Sequence, residues 1–216
     1  MAGSLDIIFE DDHILVINKP AGIAVQTGSI GQKDIESMAK SYRRDKGEAP
    51  EIYVVHRLDQ PVSGILLLAK TKEAAAALSK GVSTDSFSKV YRAEVYDGGN
   101  IPDEGTLRDY LLKGRDNTSS VVSEGVKGAK EAILSFKVTD RSEGRATLRV
   151  RLKTGRHHQI RVQLSHAGFP ILGDLKYANE KSRALSRELG ISTVALSACE
   201  LEFVHPISKR PLKFEI

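Results

Sequence analysis

The chain has 216 residues, 40% of them hydrophobic, and 32 Lys and Arg against 28 Asp and Glu give a formal charge of +4. This is enough apolar material for a sizeable core, and the single cysteine, Cys199, excludes an internal disulfide framework and favours a reducing compartment. No uninterrupted apolar run exceeds Ile65 to Ala69, far short of the roughly 20 residues of a membrane helix, and the N-terminus lacks the basic start and apolar stretch of a secretory signal. A cytoplasmic protein with no membrane association is expected.

Leu5 to Phe9 and Ile14 to Asn18 read as short strands around the acidic turn Asp11-Asp12. Asp34 to Lys46 carries Ile35, Met38, Ala39 and Tyr42 at helical spacing and is closed by Gly47. Ile52 to Val55 and Ile65 to Ala69 are short apolar runs suited to buried strands, and Lys72 to Lys80 is alanine-rich and helical. Lys89 to Tyr96 alternates, with Tyr91, Ala93 and Val95 on one face. Lys113 to Lys130, polar and rich in Gly and Ser, reads as a loop or weak hairpin, and Ala132 to Val138 as a strand.

Arg145 to Lys153 has the cleanest period of two in the chain. Ala146, Leu148, Val150 and Leu152 point one way, and Arg145, Thr147, Arg149, Arg151 and Lys153 the other. His157 to His166 and Ser182 to Leu189 read as helices, and Val194 to Val204 and Leu212 to Ile216 as the last strands. Strands outnumber helices and cluster in runs, which predicts an α+β fold around a mixed, largely antiparallel sheet with flanking helices. No linker-like composition break appears, so residues 1–216 are expected to form a single domain.

The chain lacks a G-x-x-x-x-G-K-[ST] phosphate loop, a G-x-G-x-x-G turn after a strand and a G-x-S-x-G elbow, so nucleotide-cofactor and serine-hydrolase chemistry lose their usual support. A metal site is not expected, because Cys199 has no C-x-x-C partner and the helix from His157 holds no H-x-x-x-H pair. From Arg145 to Arg161 the chain carries Arg145, Arg149, Arg151, Lys153, Arg156 and Arg161 with no acid, a candidate phosphate-binding surface or else a solvated face.

The segment His56-Arg57-Leu58-Asp59-Gln60-Pro61-Val62-Ser63-Gly64 places a carboxylate between two apolar strands. A carboxylate near a sheet core needs a cation or hydrogen bonds. Asp59 therefore either caps the turn and pairs with Arg57 or another arginine, or it is the reactive group of a site.

This stretch resembles the H-R-L-D signature of the RluA-type pseudouridine synthases. Asp11-Asp12-His13-Ile14-Leu15-Val16-Ile17-Asn18-Lys19-Pro20-Ala21-Gly22 is similar to the family's first motif and Lys89-Val90-Tyr91-Arg92-Ala93 to its K-x-Y-x-A strand. Leu152-Lys153-Thr154-Gly155-Arg156-His157-His158-Gln159-Ile160-Arg161-Val162-Gln163-Leu164 resembles its L-x-T-G-R-x-H-Q-I-R-V motif. Gly168-Phe169-Pro170-Ile171-Leu172-Gly173-Asp174 and His205-Pro206 continue the likeness in order over nearly the whole chain. Two departures stand out: Val62 where many relatives carry a Thr-Ser pair one step earlier, and the expected absence of a preceding S4-like RNA-binding domain.

The resemblance implies an isomerase with the pseudouridine synthase fold that converts uridines in tRNA or rRNA without a cofactor. Nothing in the sequence demands more than a monomer, and no obligatory protein partner is expected. By motif match Asp59 is the essential carboxylate, as nucleophile or as base, Arg161 its ion-pair partner, and Tyr91 the aromatic residue that stacks on the target base. The target must be flipped out of its stack, and Arg57 resembles the residue that enters the RNA as the base leaves. His56, Lys19 and Ile160 are placed with the substrate contacts, and Arg149, Arg151, Lys153 and Arg156 with backbone phosphates. Two other readings are open: a glycosidase or nucleosidase pairing Asp59 with Asp174, and a non-catalytic RNA-binding module.

Overall fold

Hydrophobic alternation and capping residues translate into eleven strands and four helices among the described residues of the computed structural model, which are 5–28, 31–82, 84 and 86–216. Residues 1–4, on which part of the N-terminal reading rests, lie outside them. The chain divides into two units, Met1–Lys89 with Ser197–Ile216, and Val90–Leu196. Among the described residues no helix is long and apolar enough to cross a membrane.

The first unit contains β1 (Asp6–Glu10), β2 (Ile14–Lys19), α1 (Ile35–Asp45), β3 (Tyr53–Val54), β4 (Ser63–Ala69) and α2 (Lys72–Gly81). Helix α1 starts at Asp34, whose carboxylate accepts from the Ser37 N–H at 2.8 Å while Ser37 Oγ accepts from the Asp34 N–H, a reciprocal cap. Thr71 caps α2 by a single bond, its hydroxyl accepting the Ala74 N–H. Strand β4 pairs antiparallel with β2 along one edge. The second unit is entered through β5 (Ser88–Tyr96) and holds β6 (Glu104–Lys113), β7 (Ser119–Val122), β8 (Lys130–Ser142), β9 (Arg145–Leu152), α3 (Gln159–His166) and α4 (Glu180–Glu188). The chain then returns to the first unit in β10 (Leu196–Val204) and β11 (Pro211–Glu215).

On the other edge of β4, β10 pairs parallel at Ser63 and Gly64, and β3 pairs antiparallel at Leu68 and Ala69. Strand β4 is therefore internal to the sheet, and consecutive residues from Gly64 to Ala69 are all buried, so both its faces are covered and its sequence is an apolar run without alternation. Ile14, Val16, Ile65, Leu67, Ala74, Leu78, Phe87, Leu201 and Phe203 form the core of this unit. Each large apolar side chain buried here contributes about 1.5–3 kcal/mol.

In the second unit β5, β9, β8, β6 and β7 follow one another, all antiparallel. The period-two reading of Arg145 to Lys153 holds: Ala146, Leu148 and Val150 are buried, while Arg151 and Lys153 are exposed. Together the two units give the expected α+β fold with a mixed, largely antiparallel sheet. The strand Glu104–Lys113 was not expected, and β8 runs from Lys130 to Ser142, well past the expected Ala132 to Val138. The stretch from Lys113 to Lys130 contains β7, so it is a hairpin arm.

Candidate active site

In the first unit the Asp59 loop is held from below. Leu58 and Val62, on either side of Asp59, are 6% and 3% exposed and anchor the turn, while Asp59 is half-buried and Arg57 exposed. The Val62 N–H closes the turn on the Asp59 carbonyl at 3.0 Å. Gln60 and Gly22 exchange two hydrogen bonds, Gly22 N–H to Gln60 O at 2.9 Å and Gln60 Nε2 to Gly22 O at 3.0 Å. The loop is thereby tied to the Lys19-Pro20-Ala21-Gly22 turn.

Lys19 sits under this arrangement with no exposed surface. Its ammonium donates to the carbonyls of Pro20 at 2.9 Å, Ile23 at 2.7 Å and Gln60 at 3.2 Å. Burial lowers its pKa from 10.5 to about 8, opposed by attraction to the Asp59 carboxylate. The lysine expected to touch substrate is instead a buried cation that fixes the turn beside Asp59 and sets a positive potential at its carboxylate. Charge and side-chain length gave no sign of this burial, because lysines are seldom fully enclosed.

His56 is also internal. Its Nε2 accepts the Leu67 N–H at 3.1 Å, and its ring stands edge-on to Phe87 with centroids 5.4 Å apart. Burial, and secondarily the charge of Lys89, push its pKa down to about 3, so it is neutral at physiological pH. The histidine placed with the substrate contacts thus anchors the start of the loop to β4. Gly64 ends the loop at φ +109°, and a Cβ there would lie 2.3 Å from the Ala198 carbonyl oxygen, so only glycine fits.

In the second unit α3 is largely buried, and it encloses the polar side chains Gln159, Arg161 and Gln163 among the apolar Ile160, Val162 and Leu164. Gln159 Oε1 accepts from the Arg156 N–H at 3.0 Å and from the Thr154 hydroxyl at 2.9 Å, and its Nε2 donates to Ile133 O at 3.1 Å. The T-G-R-x-H-Q run is therefore a loop stitched to β8 ahead of the helix. His158 enters α3 in the left-handed region at φ 54°. Arg161, 3% exposed, donates from Nε and Nη2 to both Asp174 oxygens at 2.7 and 2.8 Å, a bidentate buried pair.

Tyr177 completes this cluster. The Arg161 guanidinium lies over its ring at 5.1 Å, its hydroxyl accepts the Ser119 N–H at 2.8 Å, and the same oxygen is 2.7 Å from His158 Nδ1. His157 stacks on His158 at 3.8 Å and meets Ser119 Oγ at 2.9 Å. Sequence reasoning missed Tyr177 and reached Asp174 as the end of the Gly168 to Asp174 motif and as a possible second carboxylate, not as the partner of Arg161.

Tyr91 and Ile160 are buried, at 6% and 4% exposure. Tyr91 lies opposite Val150 in the β5–β9 register and shares its face, whereas Arg149 and Arg151 leave the other face. The expected stacking tyrosine and the cationic ladder are therefore on opposite faces of one sheet, a consequence of the period of two. Arg149 faces Arg92 and Lys137 across the strands, so the cations concentrate there. Lys153 and Arg156 are exposed beyond the end of β9, with Arg156 Nε bonded to Glu131 O at 2.8 Å.

Residues 13–166 match the family model described as RNA pseudouridylate synthase. This chain belongs to that family. It is an RNA pseudouridine synthase, an isomerase. It is 39% identical over 207 residues to the dual-specificity RNA pseudouridine synthase RluA of Vibrio parahaemolyticus, covering 94% of this chain and 79% of that protein. It is 36% identical to the ribosomal large subunit pseudouridine synthase D of Xylella fastidiosa over 97% of this chain and 64% of that one. With the tRNA pseudouridine synthase C of Pectobacterium carotovorum the identity is 30% over 98% of this chain and 58% of that protein. The chain thus spans less than two thirds of the length of several curated relatives. A solved human structure, RNA Pseudouridylate Synthase Domain Containing 4, shares the fold with a TM-score of 0.78 at 24% identity, covering 98% of this chain and 87% of that one.

Proposed function

We propose that this pseudouridine synthase isomerises uridines in structured tRNA or rRNA, with Asp59 as its catalytic carboxylate and the whole chain serving that one activity in the cytoplasm as a monomer. The observation that carries the reading is the Asp59 loop: a half-buried carboxylate between two buried anchors, beside an enclosed lysine charge, with an exposed arginine two residues before it. Structured RNA as the substrate class is supported by the names of the relatives, which include enzymes of tRNA and of the large ribosomal subunit.

The reaction breaks the uracil N1 to ribose C1′ bond and forms a C5 to C1′ bond, while the C5 proton moves and N1 gains one, so atoms and electrons balance within the nucleotide. Asp59 acts at the anomeric carbon or on the 2′ proton, either of which requires its ionised form. The Lys19 ammonium is attracted to that carboxylate. Arg57 is free to enter the stack vacated when the target base flips out, a step costing a few kcal/mol. Tyr91 and Arg161 are assigned to the same reaction by motif match, the first to the base and the second to the carboxylate.

The test is purified protein incubated with RNA and mapped by carbodiimide-dependent reverse-transcription stops. Wild type is expected to add stops without changing substrate mass, and Asp59→Asn to add none while still binding RNA. Release of free uracil supports a nucleosidase instead.

A further inference from the structure

A groove outside the proposed catalytic residues opens in the second unit between α4 and the segment that follows Asp174. Its cavity is about 460 Å³, with Leu175 and Ala178 on one wall, Arg183, Ser186 and Arg187 on the other, and Ile191 at its end. Arg183, Ser186 and Arg187 recur at helical spacing, so one stripe of α4 forms the wall.

Two features separate this groove from an ordinary surface dent. Leu175 is 77% exposed, the most exposed large apolar side chain among the described residues, and it stands at the lip. Arg183 and Arg187 are both exposed, and neither forms an ion pair among the described residues. Arg183 Nη2 donates only to the Leu175 carbonyl at 3.3 Å, which holds the two walls together. An apolar platform under two unneutralised guanidiniums one turn apart fits a base with its phosphate, and the volume suits a single nucleotide.

The walls are rigid. Ser186 Oγ accepts from the Gly173 N–H at 2.9 Å and donates to Ser182 O, and a Cβ at Gly173 would lie 2.0 Å from Thr193 O. The groove also continues from the candidate site, since Leu175 directly follows the carboxylate that grips Arg161.

We propose that this groove is a second RNA contact, which docks one unpaired nucleotide of the substrate with its base against Leu175 and its phosphate on Arg183 and Arg187. The proposal rests on the reading that the protein acts on structured RNA, and it names a part of that RNA the site engages besides the target uridine.

The test is filter binding of an unmodified tRNA transcript and a large-subunit rRNA fragment between 50 and 200 mM salt. The double variant Arg183→Ala/Arg187→Ala is expected to raise Kd about tenfold and to flatten the log Kd against log salt slope by about 1 to 2. Leu175→Ser, a change at an exposed position that folding tolerates, is expected to raise Kd about threefold with the slope unchanged, because it removes contact and no charge. Lys181→Ala, which removes a nearby cation on α4 outside the groove, is expected to stay within about twofold of wild type.

Ultraviolet crosslinking is expected to attach RNA to the peptide spanning 173–192. The proposal is overturned if the double variant binds with wild-type affinity and slope, if Lys181→Ala weakens binding as much, or if crosslinks fall only elsewhere. Failure of the catalytic reading looks different: Asp59→Asn then still modifies RNA, whatever the groove variants do.

Discussion

Replacing Lys19 by methionine removes a buried charge and three donated hydrogen bonds at once, and the two effects oppose each other. A pKa near 8 in place of 10.5 means that the ammonium is held at a cost of about 3 kcal/mol relative to water, which the substitution relieves. Against this, the part-buried carbonyls of Pro20, Ile23 and Gln60 lose their donor, at about 1–3 kcal/mol for each that water does not reach in its place. The loss is the larger, so Lys19→Met is expected to lower the unfolding free energy at pH 7 by about 2–3 kcal/mol.

The sign of the pH dependence provides a second, independent reading. Between the folded pKa of about 8 and the unfolded value of 10.5, the unfolded chain binds the proton and the folded one does not, so stability rises with pH. From pH 7 to 9.5 this gain is about 2 kcal/mol in wild type and absent in Lys19→Met. Urea unfolding of both proteins at the two pH values measures it. A variant as stable as wild type at pH 7, or one with the same change between the two pH values, refutes the reasoning.

Other positions give separate outcomes. His56 stays neutral down to about pH 3, so stability present above pH 6.5 is lost as pH falls toward 3; between pH 7 and 4 the loss from this one group is about 3 kcal/mol, and acid titration of His56→Phe should lack it. Gly64→Ala forces a Cβ into the Ala198 backbone at a positive φ, and thermal melts should show a drop of more than 10 °C or no soluble protein. Asp174→Asn removes the carboxylate that Nε and Nη2 of the buried Arg161 both grip and should cost about 3–5 kcal/mol by denaturant unfolding. Tyr177→Phe keeps the ring beneath Arg161 but orphans the Ser119 N–H, a loss of about 1–2 kcal/mol in the same assay.

Much of the architecture was legible because its signals were local. The alternation of Arg145 to Lys153, the helical spacing of Ile35, Met38, Ala39 and Tyr42 in α1 and the unbroken apolar run of β4 each follow from a pattern that a few residues carry. Strand β6 was not, because in Glu104–Lys113 only Leu111 is buried and the half-buried Leu107, Tyr110 and Leu112 do not alternate cleanly with the polar positions. The positions of Lys19 and His56 could not be read either: their residue types predict exposure, and only the carbonyls and the strand assembled around them by distant segments make burial affordable. Asp59 was legible as a loop carboxylate between anchors, while the bidentate grip of Asp174 on Arg161 depends on the chain returning alongside β5, where Leu172 N–H bonds Glu94 O at 2.9 Å.

The central claim is that the carboxylate of Asp59 performs the isomerisation. Wild-type protein and Asp59→Asn, matched for RNA binding, are incubated with the same tRNA and rRNA transcripts and pseudouridines are counted site by site. The account predicts defined new sites with wild type and none above background with the variant. Modification by the variant at wild-type sites contradicts it.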